Sequence, residues 1–157
     1  MTSFAQNIYL ADNKATSELG KDIGRRLSLG DVILLNGSVG AGKTHLARSL
    51  IQSILTQPED IPSPTFTLVQ TYETQHGELW HVDLYRITSD LEIDELGLLE
   101  AFETAICIVE WPNRLGAKIP KKALTIDLTT KGDARNARLT WTESYWRPII
   151  LEATQNG

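Results

Sequence analysis

The most informative segment of the sequence is Val-Ile-Leu-Leu-Asn-Gly-Ser-Val-Gly-Ala-Gly-Lys-Thr, residues 32–44. From Gly37 to Thr44 it fits the pattern G-x-x-x-x-G-K-[ST] of a phosphate-binding P-loop. The unbroken apolar run before the loop predicts a strand that is buried on both faces. After the loop, leucines recur at helical spacing, so a helix is predicted over residues 43–55. This order of strand, glycine-rich turn and helix is the context that a P-loop requires, and it disfavours an ordinary glycine-rich turn.

The residue types in the loop suit the phosphates of a nucleotide. Glycines allow successive backbone N–H groups to converge on phosphate oxygens without interference from a Cβ atom. The N-terminus of the following helix adds unpaired N–H groups and the positive end of its dipole. Lys43 is the predicted cation for the β- and γ-phosphates, and the Thr44 hydroxyl is a predicted ligand of Mg²⁺. The predicted nucleotide-binding residues here are Gly37, Ser38, Val39, Gly40, Ala41, Gly42, Lys43, Thr44 and His45.

Two carboxylates are candidates for the metal side of this site. Glu110 follows a fully apolar run, and Asp83 follows a more amphipathic one. A P-loop site commonly takes an acid from the end of a neighbouring strand, so one of the two suits the Mg²⁺ shell and the other suits the orientation of a water molecule. His81 is interpreted as a strand residue packed near the site, with a catalytic role as the alternative. Trp111 belongs either to the core or to the wall of the nucleotide pocket.

Composition limits the classes of protein to consider. The chain has 157 residues, of which 41% are hydrophobic and 22% charged, and a single domain over residues 1–157 is predicted. Its one cysteine, Cys107, excludes an intrachain disulfide and a metal site of paired cysteines. The formal net charge of −5 disfavours a strongly basic nucleic-acid-binding protein. No apolar run approaches the roughly 20 residues of a membrane-spanning helix, so a cytoplasmic protein without a membrane partner is expected.

Alternating strands and helices predict the α/β class. Short links predict two antiparallel hairpins, which disfavour a purely parallel sheet. The predicted fold is therefore a single-domain, P-loop NTPase-like three-layer sandwich with a mixed parallel and antiparallel sheet. The predicted strands are residues 4–10, 31–36, 65–73, 78–85, 105–110, 124–128 and 137–141. The first predicted helix is capped by Asp12 or Asn13 and ended by Gly30-Asp31, and the others are residues 43–55, 90–102 and 142–153, the last broken or bent near Pro148.

Charge is segregated along the chain. Residues 83–110 hold eight acids and one base, whereas residues 111–147 hold eight bases and three acids, which gives net charges of −7 and +5. Two solvated faces explain this pattern, and so does a face that meets an acidic partner or an RNA backbone.

Four segments together carry a family resemblance. They are residues 37–44, Ser63-Pro64-Thr65-Phe66 followed by Leu68-Val69 and Tyr72, His81-Val82-Asp83-Leu84-Tyr85-Arg86, and Ile108-Val109-Glu110-Trp111-Pro112. In order and spacing they resemble the TsaE (formerly YjeE) family, the ATPases of bacterial tRNA threonylcarbamoyladenosine synthesis. The resemblance runs from about residue 17 to residue 128. One departure is Asn113, where many family members have a second acid.

The resemblance implies a domain that binds ATP with Mg²⁺ and works with two subunits, TsaD and TsaB. These subunits carry the transfer of the threonylcarbamoyl group to adenosine 37 of tRNAs that read codons beginning with A, so a contact of this chain with tRNA would be indirect or weak. By motif match, Thr44 and Glu110 hold the metal, and Asp83 is the second essential carboxylate. Thr65 lies in a switch-like loop near the γ-phosphate, and Trp111 lies near the nucleotide. The predicted catalytic residues are Asp83, Lys43 and Thr65.

Three alternatives come from other classes. A small GTPase-like switch protein is suggested by Asp94-Glu95-Leu96-Gly97 (D-x-x-G) and Thr130-Lys131-Gly132-Asp133 (T-K-x-D), but the first lies in a predicted helix and the second in a predicted hairpin turn. A small-molecule kinase would need a lid and clustered arginines, whereas Arg48, Arg86 and Arg114 are scattered. The third alternative is a binding module that holds ATP only as a structural ligand. The paired acids Asp83 and Glu110 favour an enzyme that hydrolyses ATP over such a module.

The sequence shows no evident arginine finger. Such a cation is often worth 10³–10⁵ in rate in related chemistry. We therefore expect slow turnover by the isolated chain and faster turnover in the partner complex.

Overall fold

A computed structural model describes residues 3–38, 40–64 and 67–155. The predicted residues Val39, Thr65 and Phe66 lie outside this part of the chain. The elements are β1 (Phe4–Leu10), α1 (Asn13–Gly24), β2 (Val32–Gly37), α2 (Lys43–Gln52), β3 (Val69–Thr74), β4 (Gly77–Asp83), α3 (Asp90–Leu96), α4 (Leu98–Thr104), β5 (Ile106–Glu110), a 3₁₀ segment (Pro112–Lys118), β6 (Leu124–Lys131), β7 (Ala134–Trp141) and α5 (Trp146–Gln155).

The strands form one sheet in the order β1-β7-β6-β2-β5-β4-β3. Strand β2 runs parallel to β5 and β6, and β4 runs parallel to β5. The pairs β3–β4, β6–β7 and β1–β7 are antiparallel. The mixed sheet and both hairpins are therefore confirmed. The fully apolar runs became β2 and β5 at the centre of the sheet, where both faces are covered.

Two hydrophobic cores lie on opposite faces of the sheet. Alternate side chains of β2 enter each of them, with Ile33 and Leu35 on one side and Val32 and Leu34 on the other. The first core is closed by α1, α2 and α5, and the second by α3, α4 and the 3₁₀ segment. The predicted three-layer arrangement is thus confirmed.

Several predicted boundaries were wrong for local reasons. Helix α1 ends at Gly24 and α2 at Gln52, so both are shorter than predicted. The predicted helix over residues 90–102 is two helices, because Gly97 adopts φ = 75° and serves as the C-cap of α3. The predicted bend at Pro148 is absent from the described part of α5. This helix begins at Trp146, so the proline occupies the first turn, where its missing N–H costs no hydrogen bond.

Helix α1 packs closely on α2, which carries the loop's lysine and threonine. A Cβ atom added to Gly20 would lie 2.9 Å from the Leu46 carbonyl oxygen and 3.2 Å from the Leu50 amide nitrogen. A Cβ atom on Gly24 would lie 2.8 Å from the Leu50 carbonyl oxygen. These contacts are with backbone atoms, so the absence of a side chain at Gly20 and Gly24 sets the distance between the two helices.

Gly20→Ala is expected to destabilise the protein although alanine favours helices. Alanine should gain about 1 kcal/mol in helix propensity, but overpacking against the α2 backbone should cost more, for a net loss of about 1–2 kcal/mol. Urea unfolding measures the difference in the free energy of unfolding. Glu18→Ala, at an exposed position of the same helix, should change it by less than about 0.5 kcal/mol. If Gly20→Ala had the same free energy of unfolding as the wild type, α1 and α2 would be able to move apart at no cost in stability.

Neither long apolar helices nor a reactive thiol are found in the described ranges. Of the helices in residues 3–38, 40–64 and 67–155, none has the length and hydropathy needed to cross a membrane.

Cys107 lies in β5 with no exposed surface, and burial raises the pKa of its thiol to about 12. Its side chain therefore belongs to the core packing.

Candidate active site

Three parallel strands deliver the candidate residues to one edge of the sheet. Strands β2, β5 and β4 run in the same direction, and their register pairs Leu35 with Glu110 and Glu110 with Asp83. Their carboxyl ends therefore lie side by side, and the loop after β2 begins at the same edge. This is the crevice in which open α/β sheets commonly bind ligands.

The loop needs its glycines. Gly37, Gly40 and Gly42 have φ values of 152°, 84° and 100°, a region that other residues rarely adopt. A Cβ atom on Gly37 would also lie 2.8 Å from the Leu128 carbonyl oxygen. Gly42 is the N-cap of α2, and no side chain caps this helix. The first amides of α2 are thus left without a capping side chain, as is typical of a helix N-terminus that receives an anion.

Lys43 folds back over the loop. Its Nζ donates a hydrogen bond to the Gly37 carbonyl oxygen over 2.7 Å and lies 3.5 Å from the centre of the Trp111 ring. Burial lowers the pKa of the Lys43 ammonium, while the negative charges of Glu110 and Asp83 oppose this shift. The lysine is therefore a desolvated cation at the mouth of the loop, next to both acids.

Glu110 is held from both sides. The Thr44 hydroxyl donates to Glu110 Oε1 over 3.0 Å, and His81 Nε2 lies 2.8 Å from Glu110 Oε2. Glu110 is 2% exposed and His81 is fully buried. The structure thus brings together the two predicted metal ligands, and it places His81 behind the carboxylate as a residue that orients it.

Asp83 lies at the end of β4, 4% exposed. Its Oδ1 accepts a hydrogen bond from the Tyr85 amide over 2.9 Å, and its own amide donates to the Leu68 carbonyl oxygen over 2.9 Å. The Leu68 amide in turn donates to the Pro64 carbonyl oxygen. The described flanks of the predicted switch-like loop are therefore attached beside Asp83, while Thr65 itself remains a prediction.

Trp111 leaves β5 in an unusual conformation. Its φ of 59° is left-handed, and its ring centre lies 4.8 Å from that of Tyr85. This turn of the backbone brings the indole over the Lys43 ammonium, while the ring also packs against the second hydrophobic core. Trp111 therefore lines the cavity and contacts the core, so the structure shows both of the placements that the sequence left open.

These residues line a cavity of about 520 Å³, within the usual range for small-molecule sites. Its described walls include the loop, both acids and Trp111, and also residues on the side of α1 and β7. The lining residues are Asn13, Gly40, Gly42, Lys43, Thr44, His45, Asp83, Tyr85, Glu110, Trp111 and Arg135.

The donor set suits Mg²⁺ bound together with a phosphate. Among the described residues, no group of three or more His, Cys, Asp or Glu side chains could hold a metal ion by itself. Magnesium does not require such a group, because it usually takes one or two protein oxygens and completes its shell with water and substrate phosphates. The adjoining oxygens of Thr44 and Glu110, with Asp83 on the next strand, fit this type of site.

Arg135 and Asn13 line the cavity and Ser17 contacts His45 beside it, and none of the three was predicted as a site residue. Arg135 Nε donates to the Ala41 carbonyl oxygen over 3.1 Å, from a position 94 residues along the chain. Asn13 lines the cavity, and its carbonyl oxygen lies 3.1 Å from His45 Nε2. Ser17 Oγ lies 2.9 Å from the same nitrogen. No local pattern identifies these residues, since only the packing of α1 and β7 brings them to the loop.

The GTPase-like motifs are not part of the cavity. Asp94 lies in α3, half exposed and paired with Lys118 over 2.7 Å. Thr130 lies near the end of β6, and Gly132 forms the turn to β7 with φ = 61°. Neither motif contributes to the described walls. Both therefore occupy the helical and hairpin contexts that their sequences predict.

The TsaE family, described as "Threonylcarbamoyl adenosine biosynthesis protein TsaE", matches residues 10–138 of this chain. The chain belongs to the TsaE family. The resemblance found in the four sequence segments is thus confirmed, and the match extends through most of β7, which those segments did not reach.

Relatives named as TsaE proteins support the same assignment. A Rickettsia prowazekii tRNA threonylcarbamoyladenosine biosynthesis protein TsaE is 38% identical over 133 residues, covering 83% of this chain and 89% of the relative. The TsaE protein of Rickettsia felis is 40% identical over 104 residues, covering 66% of this chain. That alignment spans 61% of the Rickettsia felis protein's own length.

A solved structure supports the fold of this TsaE-family chain. The crystal structure of Bacillus subtilis YdiB superposes with a TM-score of 0.80, covering 99% of this chain and 98% of YdiB. The sequences are 22% identical. The mixed α/β sandwich is therefore common to both proteins across nearly their entire lengths.

Proposed function

We propose that this chain binds ATP with Mg²⁺ and hydrolyses it as a subunit in the formation of threonylcarbamoyladenosine on tRNA. The observation that carries the proposal is the convergence, in one cavity, of a glycine-rich loop, the Lys43 ammonium and two buried acids from adjacent strands. Membership of the TsaE family supplies the pathway.

The loop and Lys43 are proposed to bind the phosphates. A triphosphate carries several negative charges, and the uncapped N-terminus of α2 offers amides and a positive dipole end. Lys43 now interacts with a carbonyl oxygen and an aromatic face, both of which are weaker partners than a phosphate. The ammonium can therefore exchange these contacts for the β- and γ-phosphates.

The acids are proposed to divide the remaining work. Thr44 and Glu110 would hold Mg²⁺, which when bound would neutralise charge on the phosphate oxygens. His81, fixed against Glu110 Oε2, keeps the carboxylate oriented toward Thr44. Asp83 lies on the next strand with one oxygen bound to the Tyr85 amide, and it is the proposed residue that orients the attacking water.

The proposed partners are homologues of TsaD and TsaB, with any contact to tRNA indirect or weak. Several bases of the +5 segment are engaged within the chain, since Lys118 contacts Asp94, Lys122 contacts Glu103, and Arg135 contacts the loop. These contacts reduce the basic surface left for an RNA backbone, which favours a role through protein partners.

The proposal is tested by measuring ATP turnover and modification together. The chain should hydrolyse ATP slowly alone and at least about tenfold faster with TsaD and TsaB homologues, because the complex would supply a further cation to the phosphates. Tagged chain incubated with ATP should also retain both homologues, and the reconstituted mixture should form threonylcarbamoyladenosine on tRNA only when this chain is present. Rapid hydrolysis by the lone chain that partners do not change, or full modification without the chain, would contradict the proposal.

A further inference from the structure

One side chain of the cavity has no role in the proposed chemistry but grips the loop. Arg135 lies at the start of β7, which is antiparallel to β6, so this end of β7 reaches the same edge of the sheet as the loop. Its Nε donates to the Ala41 carbonyl oxygen over 3.1 Å and one terminal nitrogen donates to the Gly40 carbonyl oxygen over 3.3 Å. The other terminal nitrogen donates to the Ala134 carbonyl oxygen over 2.9 Å. The guanidinium thus joins the β6–β7 hairpin to two consecutive peptide groups of the loop.

Fixing a carbonyl group also fixes the direction of an amide. The peptide group is planar and trans, so its C=O and the N–H of the next residue point in opposite directions. By holding the Ala41 carbonyl, Arg135 sets where the Gly42 amide points, and by holding the Gly40 carbonyl it fixes the same peptide group whose Ala41 amide donates to the Ser38 carbonyl over 3.0 Å. The loop needs such a restraint, because Gly40 and Gly42 have positive φ and glycine backbones reorient easily.

We propose that Arg135 is a positioning residue that keeps the loop in the shape that receives the diphosphate part of a nucleotide. The inference rests on the proposed function and goes beyond it, since it assigns phosphate recognition partly to β7. Arg135 acts through the loop carbonyls, and its charge-assisted hydrogen bonds are stronger than those of a neutral donor. Its loss should weaken binding of the phosphates and leave the contacts of the nucleoside unchanged.

The experiment compares four proteins: the wild type, Arg135→Ala, Arg135→Lys and Arg138→Ala. Arg138→Ala is the matched control, because Arg138 lies on the same strand and is exposed, and its replacement by alanine removes the same charge. ADP affinity is measured by calorimetry and adenosine affinity by competition. Arg135→Ala should bind ADP about tenfold more weakly and adenosine as the wild type does. Lysine can donate to only one or two of the three carbonyls, so the ADP affinity of Arg135→Lys should lie between those of Arg135→Ala and the wild type. Arg138→Ala should match the wild type in both affinities.

The readouts separate the inference from its alternatives. A merely structural role would lower the thermal midpoint of the ligand-free protein and leave the ADP affinity of the folded fraction unchanged, which would overturn the inference. Equal losses for ADP and adenosine would overturn it too, by placing Arg135 against the nucleoside. If Arg138→Ala lost as much ADP affinity as Arg135→Ala, the effect would come from the overall charge of the protein, and the inference would be overturned. If the wild type binds ADP and Arg135→Ala binds it equally well, only the inference fails. If the wild type binds neither ADP nor ATP, the proposed function fails with it.

Discussion

Replacing Lys43 with alanine is expected to weaken ATP binding by at least about a hundredfold. Burial desolvates the ammonium, so its attraction to a phosphate is screened less than that of a surface lysine. Alanine also removes the contacts to the Gly37 carbonyl and the Trp111 ring, so a thermal melt of the variant checks that it still folds. Calorimetry with ATP and Mg²⁺ measures the change.

The matched control for Lys43 is Lys121→Ala. Lys121 is exposed and precedes β6, so it lies at the opposite edge of the sheet from the loop. The Lys121→Ala replacement removes the same charge. It should leave ATP affinity within about twofold of the wild-type value, since surface charges this distant from the loop are screened by salt. ATP affinity that is undiminished in Lys43→Ala would place the triphosphate elsewhere and remove the chemical basis of the proposed function.

Asp83→Asn and Glu110→Gln should each lower ATP turnover of the partner complex by about a hundredfold or more. Both replacements keep the size of the side chain and remove its negative charge. The glutamine can still accept from the Thr44 hydroxyl, so the local structure should persist while affinity for Mg²⁺ falls. The asparagine should spare Mg²⁺-dependent nucleotide binding, because Asp83 is assigned to water and Glu110 to the metal. Steady-state phosphate release and nucleotide binding with and without Mg²⁺ distinguish the two roles.

Glu100→Gln is the control for charge in this acidic part of the chain. Glu100 is exposed on α4 and does not line the described cavity, so turnover should stay within about twofold of the wild type. Turnover that survives both Asp83→Asn and Glu110→Gln would leave these acids with a structural role and would overturn their assignment to catalysis.

Much of the candidate site could be predicted because its signals are local. The glycines of the loop, Lys43 and Thr44 occupy eight consecutive positions, so their mutual placement follows from one strand, one turn and one helix. Glu110 ends a fully apolar strand and Asp83 a more amphipathic one, and parallel strands bring such ends to one edge. Element boundaries were less predictable, because Gly97 ends a helix through its own φ while Pro148 is accommodated by its place in the first turn.

The class of fold, the two hairpins and the loop are specified by neighbouring residues, whose periodicity or backbone freedom admits one local structure. The order of the strands follows from long-range packing, and so do the pairing of His81 with Glu110, the contact of Trp111 with Lys43 and the hydrogen bonds of Arg135 to the loop. These contacts join residues far apart in the chain, and they form only when the sheet and both helical layers have closed. Sequence spacing does not predict these contacts, because the distances between the residues depend on how the sheet and the helical layers pack.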